Sequence, residues 1–73
     1  MSITNYIVKE LQVQLAAYKE EITHYNNMWT MAESEDAKVI YYVEKRYWQG
    51  MYDATHAAIA IVEEAEVTGG TPF

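Results

Sequence analysis

The chain has 73 residues, 51% of them hydrophobic and 22% charged, and its eleven acidic and five basic side chains give a net charge of -6. This composition excludes a disordered chain, and the length fits one small domain, residues 1–73, near the lower limit for a self-sufficient core. The acidic balance disfavours direct binding to nucleic acid, and the absence of cysteine excludes disulfides and thiolate metal sites. No apolar run reaches the roughly 20 residues of a membrane span, and no signal-peptide pattern opens the chain. We therefore expect no membrane contact and a cytoplasmic protein.

The first predicted element is a helix over about residues 4–32, a stretch without glycine or proline. Apolar side chains recur there in steps of three and four, the spacing of one helix face. This face consists of Thr4, Val8, Leu11, Leu15, Tyr18, Ile22, Tyr25, Trp29 and Ala32. The intervening positions are mostly polar, which indicates a single apolar seam on a solvated helix.

A break at residues 32–36 separates this helix from a second one, predicted over about residues 35–67. Ser34 can cap the second helix, and Glu35 and Asp36 then lie in its first turn, where carboxylates favour the helix dipole. A connection this short makes the two helices antiparallel neighbours, with residues whose numbers sum to about 67 at the same height. The expected fold class is all-α, a two-helix antiparallel hairpin, with Gly69 ending the second helix and a flexible tail over 68–73.

The second helix carries two apolar stripes, and one partner helix covers only one of them. The first stripe consists of Ile40, Val43, Tyr47, Gly50, Ala54, Ala57 and Ile61. We expect this stripe to pack against the first helix, because its small residues face large ones such as Tyr18 at the same height. Gly50, Leu15, Tyr18 and Ile22 are accordingly predicted to be structural.

The second stripe is then left for another chain. It consists of Tyr41, Lys45, Trp48, Tyr52, Thr55, Ile59 and Val62. Tyrosine and tryptophan are over-represented among interface hot spots, so we predict a partner or self interface on this stripe. Self-association would give a homodimer, in which two hairpins form a four-helix bundle with Trp48 at or near a contact between helices. The predicted interface residues are Tyr41, Lys45, Trp48, Tyr52, Ile59 and Val62.

Three acids near the end of the second helix, Glu63, Glu64 and Glu66, oppose the helix dipole. They are either a solvated helix end or a contact for basic groups on a partner. A surface that imitates nucleic acid is the extreme form of the second alternative.

Two acid-x-x-His pairs, Glu21 with His24 and Asp53 with His56, have the spacing of ligands in di-iron carboxylate bundles. In the antiparallel hairpin the two histidines lie some 20 Å apart along the helix axis, at about 1.5 Å per residue. We therefore expect surface histidines, with no metal, no cofactor and no catalytic residues. A small metal-carboxylate enzyme is the least favoured hypothesis.

The segment Tyr47-Trp48-Gln49-Gly50-Met51-Tyr52-Asp53-Ala54 resembles small acidic helical-hairpin proteins of phages and prophages of Gram-positive bacteria. These proteins commonly carry an aromatic-rich second helix with a glycine followed by Asp-Ala. The resemblance implies a non-enzymatic protein that binds a host protein and inhibits or modulates a host enzyme or defence complex. The alternative from another class is a structural module whose function is oligomerisation.

Overall fold

The computed structural model describes residues 3–67, with side chains through residue 65. Helix α1 spans Ile3–Met31 and helix α2 spans Glu35–Val67, and the two pack side by side over their length. Residues 3–67 contain no strand, so the predicted all-α hairpin is confirmed. The chain measures 53 × 18 × 14 Å, and neither helix is long and apolar enough to cross a membrane. The predicted tail, 68–73, lies outside the described residues.

The turn between the helices has the chemistry that its sequence predicts. The backbone N–H of Ala37 donates to Ser34 Oγ at 3.2 Å, and Lys38 N–H donates to the Ser34 carbonyl at 3.1 Å. Ser34 is therefore the N-cap of α2, since its side chain satisfies an amide that has no partner within the helix. Glu35 and Asp36 occupy the first turn, as expected. On the other side, Ala32 N–H donates to the Trp29 carbonyl at 3.3 Å and closes the end of α1.

Ring contacts across the hairpin define which residues of the two helices lie level. The rings of Tyr18 and Trp48 have centroids 5.8 Å apart, and those of Tyr25 and Tyr41 lie 6.5 Å apart. Both pairs sum to 66, within one residue of the expected value, so the axial register predicted from the turn is correct. The predicted seam of α1 is correct as well, because its members from Thr4 to Tyr25 are all partly covered.

The face that α2 turns toward α1 differs from the prediction. The second stripe faces α1, and it contains the two most buried residues of the described chain, Ile59 at 8% and Thr55 at 9% exposure. The first stripe faces solvent instead, with Ile40 at 61% and Tyr47 at 58% exposure. At 3.6 residues per turn the two stripes lie about 140° apart, so the helix is rotated by more than a third of a turn from the expected orientation.

The size of the side chains explains this rotation. The second stripe carries Trp48 and two tyrosines, whereas the middle of the first stripe consists of glycine and alanine. Burial stabilises in proportion to apolar area, at about 25 cal/mol per Å², and packed aromatic pairs add about 0.5 to 1.5 kcal/mol beyond the area they bury. Covering the aromatic stripe therefore outweighs the close approach that small residues would allow.

The position of Gly50 differs from the prediction because of this rotation of α2. It was expected beside Tyr18, but it is exposed, and a Cβ built on it meets no atom within 4 Å. Its predicted structural role in the hairpin is therefore wrong. Trp48 takes the place beside Tyr18, where its Nε1–H is buried with no acceptor among the described residues. An unpaired buried donor costs about 1 to 3 kcal/mol, which reduces what the burial of the indole contributes.

Ile59 and Val13 test which faces are covered. Ile59→Ala should lower the free energy of unfolding by about 2 kcal/mol or more, because it removes buried methyl groups and leaves a cavity. Val13→Ala is the matched control, since Val13 is exposed on α1, and it should change that free energy by under about 0.5 kcal/mol. Urea unfolding followed by circular dichroism measures both. Equal effects of the two substitutions would contradict the observed packing.

Gly50 provides an independent test of the orientation of α2. Gly50→Ala should raise the free energy of unfolding of the dilute protein by up to about 1 kcal/mol, because alanine favours a helix and has open space here. The measurement is thermal unfolding at the lowest concentration that circular dichroism allows. A lower melting temperature would place Gly50 back against α1.

Candidate protein-binding surfaces

An exposed apolar stripe runs along the side of α2 that faces away from α1. We call it the outer stripe, and it consists of the residues first expected inside the hairpin: Ile40, Val43, Tyr47, Gly50, Ala54, Ala57 and Ile61. All seven are exposed. At about 1.5 Å per residue, the stripe from Ile40 to Ile61 is about 30 Å long. A continuous apolar surface of this length is more typical of an interaction site than of a monomer's free surface.

Charged side chains border the outer stripe on one flank and at its ends. Arg46 and Asp53 are both exposed and lie two helical turns apart on the same flank. Gln49 Nε2 donates to Asp53 Oδ1 at 3.0 Å, which positions that carboxylate along the flank. The next positions of the seam beyond the apolar residues are Asp36 and Glu64, both exposed. The apolar surface is thus limited to the segment from Ile40 to Ile61.

A second exposed patch lies where the hairpin turns. We call it the turn-end patch, and it consists of Trp29 from α1 with Val39 and Tyr42 from α2. These residues line an open concavity of about 340 Å³ together with Glu35 and Lys38. Trp29 is 38% exposed although it belongs to the seam of α1. An exposed tryptophan beside a tyrosine in a concavity is the composition of an interface hot spot.

Two lysines hold the Trp29 ring in place. Lys38 Nζ lies 6.0 Å and Lys45 Nζ 5.6 Å from the ring centroid. A cation this close to an indole face contributes about 0.5 to 1 kcal/mol at an exposed site. Lys45 belongs to the second stripe, and its aliphatic part is partly covered while its ammonium reaches the ring. The largest side chain of the turn-end patch is therefore contacted by two cations from α2.

Carboxylates surround the turn-end patch on the exposed connection and the first turn of α2. Glu33, Glu35 and Asp36 are all exposed there. Against Lys38 and Lys45, these three carboxylates leave this end slightly acidic. The patch therefore combines an apolar centre with a mostly acidic rim, which complements an apolar surface bordered by basic groups.

The interface residues predicted from the sequence lie mainly inside the hairpin. Ile59 is buried, and the other predicted residues, Tyr41, Lys45, Trp48, Tyr52 and Val62, are partly covered. Their expected exposure is therefore wrong, because α1 of the same chain packs on this stripe. Lys45 connects to the turn-end patch through its contact with Trp29, and the Trp48 ring lies edge-on to the exposed Tyr47, with centroids 5.1 Å apart.

The acids near the end of α2 are accessible where the structure describes them. Glu63 and Glu64 are exposed, and the side chain of Glu66 lies outside the described residues. A contact of these acids with basic groups on a partner stays a prediction.

The histidines contact aromatic neighbours on their own helices. His24 lies edge-on to Tyr25, with centroids 4.9 Å apart, and His56 stacks on Tyr52 at 6.3 Å. In the described part of the chain, no three His, Asp or Glu side chains come together as a metal-binding group.

The exposure of these two surfaces was not predicted from the sequence, although the sequence contains information about each. Trp29 and Tyr42 lie at the same end of the hairpin by the register that the turn sets, and this proximity was readable from their numbers. The outer stripe was recognised as an apolar seam but was assigned to the inside of the hairpin. The deciding signal was the larger aromatic content of the competing stripe.

Comparison with protein-family models, with curated proteins and with solved structures finds no match. The surfaces described above therefore carry the functional argument.

The two tryptophans report on the covered and the exposed face separately. Trp29→Phe leaves Trp48 as the only indole, and Trp48→Phe leaves Trp29. Emission from Trp48 should lie at shorter wavelength and be quenched less by acrylamide, because its Nε1 is buried whereas Trp29 is partly exposed. Steady-state fluorescence of the two variants provides the measurement. The opposite order would mean that the aromatic stripe faces solvent.

Proposed function

We propose that this chain is a non-enzymatic protein–protein interaction module that binds a host protein through the turn-end patch. One observation carries the proposal. Among the described residues, eleven large apolar side chains are exposed, while Ile59 is the only apolar side chain that is buried. A hairpin with so little core of its own exposes more apolar surface than a monomer needs, and such surfaces mark interaction sites.

The turn-end patch supplies the residue types that dominate binding energy. Trp29 and Tyr42 are two of the exposed large side chains, and they border the same concavity. Tryptophan and tyrosine provide large contact areas with few rotatable bonds, so little conformational entropy is lost when they bind. The lysines over Trp29 reduce that loss further by restraining the ring before a partner arrives.

The acidic rim favours a partner with basic groups around an apolar site. Glu33, Glu35 and Asp36 would attract such a partner and orient it, because complementary charges accelerate encounter and suppress wrong contacts. Glu63 and Glu64 form a second acidic surface at the opposite end of the hairpin. The resemblance to small phage proteins supports a host enzyme or defence complex in the bacterial cytoplasm as the target, which binding would inhibit or modulate.

A structural oligomerisation module is the second candidate, and the outer stripe favours it. The two functions use different surfaces and are not exclusive. Variants confined to one surface distinguish them.

Trp29 and Tyr42 are the test of partner binding. The immobilised wild-type chain and the variant Trp29→Ala/Tyr42→Ala are each exposed to a bacterial lysate, and recovered proteins are quantified by mass spectrometry. The control is Tyr6→Ala/Val13→Ala, which removes an exposed tyrosine and an exposed aliphatic residue from α1. A specific partner should be recovered by the wild type and the control but lost with the turn-end variant.

Titration with that purified protein then measures the loss of affinity. Loss of two hot-spot side chains should weaken binding by about 2 kcal/mol or more, roughly thirtyfold in Kd. Circular dichroism checks that the variants keep their helicity. If no recovered protein depends on the turn-end patch, the proposed function is wrong for this surface.

A further inference from the structure

The outer stripe is a regular seam rather than a scatter of exposed apolar residues. Its members follow one another in steps of three and four from Ile40 to Ile61, which is the pattern of a helix that packs against another helix. α1 does not cover it, because α1 packs on the opposite side of α2. Residues 3–67 contain no further helix that could do so.

Apart from Ile61 at its end, the seam is divided into a half of large side chains and a half of small ones. Ile40, Val43 and Tyr47 come first, and Gly50, Ala54 and Ala57 follow. An identical helix running antiparallel, with a two-fold axis near Gly50, would place Val43 and Tyr47 of each copy level with alanines of the other. Ile40 would lie level with Ile61 of the other copy. Side chains that alternate in size across a contact let the helices approach closely and fill the space between them.

The charges beside the seam fit the same arrangement. In an antiparallel helix pair, residues on the same flank of the two seams face each other. Arg46 would lie level with Asp53 of the second copy, and Asp53 with Arg46 of the second copy. Each copy therefore contributes to two symmetric pairs of opposite charge. At the two ends of the seam, Asp36 would lie level with Glu64 of the second copy, so these like charges meet beyond the apolar segment.

The exposed area has the size that a dimer contact requires. The chain exposes 5604 Å², whereas a compact folded protein of its mass exposes about 4,700 Å². The difference is comparable to the roughly 800 Å² that each partner buries in a standard interface. Its radius of gyration is 16.3 Å, against about 11 Å for a compact domain of this length.

We propose that the outer stripe binds the outer stripe of a second copy of this chain, antiparallel, with the two-fold axis near Gly50. The assembly is a flat four-helix arrangement in which the two α2 helices are central and each α1 lies on the outside. This proposal rests on the function proposed above, in which the protein binds other proteins through its exposed apolar surface. It assigns the outer stripe to binding a second copy of the chain. Trp29 and Tyr42 of the turn-end patch stay accessible at the two far ends of the assembly.

Gly50→Glu separates this assembly from the stability of the hairpin. In the isolated hairpin, a side chain at residue 50 meets open space and glutamate favours a helix more than glycine does, so helicity should be kept. In the dimer two carboxylates would meet near the axis within an apolar contact. The dissociation constant should therefore rise by at least about a hundredfold, since facing like charges are strongly unfavourable. Ala16→Glu, which puts the same charge on an exposed position of α1, is the matched control and should leave the dimer intact.

Charge reversal tests the antiparallel register. Arg46→Glu alone and Asp53→Arg alone should each weaken the dimer by roughly tenfold, because two pairs per dimer change from attraction to repulsion. Arg46→Glu combined with Asp53→Arg should restore the wild-type dissociation constant. A parallel dimer would show no such restoration, because the two residues would lie about two turns apart.

Sedimentation equilibrium and light scattering of the purified chain, from low to high micromolar concentration, measure all these variants. A monomeric wild type at high micromolar concentration would overturn the proposal. So would a Gly50→Glu dimer of unchanged strength, or an equal loss in Ala16→Glu. Failure of the charge reversal to rescue would overturn the antiparallel register. None of these measurements involves Trp29, Tyr42 or a host protein, so failure here is distinct from failure of the proposed function.

Discussion

α2 carries two apolar faces, but within residues 3–67 it has one neighbouring helix, and the packing of Trp48 against Tyr18 decides which face turns inward. The ring centroids lie 5.8 Å apart, and a second aromatic pair, Tyr25 with Tyr41, is in contact about two helical turns nearer the connection. These contacts bury the aromatic stripe and leave the stripe of Gly50 and its neighbours outside. The exposed surfaces of the protein follow from that choice, and so does the functional argument.

The features that depend on local chemistry could be predicted from the sequence. Ser34 caps α2, and the short connection sets the heights at which residues of the two helices meet. The rotation of α2 about its own axis could not be predicted in the same way. Both stripes satisfy the helical period, so the period does not distinguish them, and the complementarity of small and large residues pointed to the wrong one. The size of Trp48 and Tyr52 indicated the correct face. In a single hairpin, the apolar area that these side chains bury stabilises more than the closer helix spacing that small residues allow.

The small residues of the first stripe, which were expected to pack against α1, lie on the outer face of α2 instead. Gly50, Ala54 and Ala57 do not accommodate the large residues of α1, since they face away from it. The outer stripe has the spacing and the large and small side chains of a helix-packing surface, but α1 does not pack on it. Together with the turn-end patch, this seam gives a hairpin of 73 residues two different apolar surfaces. The sequence therefore predicted that α2 has an exposed apolar surface, but it did not predict which face of α2 that surface occupies.

The most buried residues, Thr55 and Ile59, lie in the half of the hairpin remote from the turn, level with the first third of α1. The turn half, by contrast, contains no fully buried residue, although Tyr25 and Tyr41 contact each other across it. The most buried contacts thus lie in the half remote from the turn, so local opening should cost less free energy in the turn half. The helix ends at the turn can then shift around a bound surface, with the Trp29 ring still beside its two lysines, while the remote half stays packed.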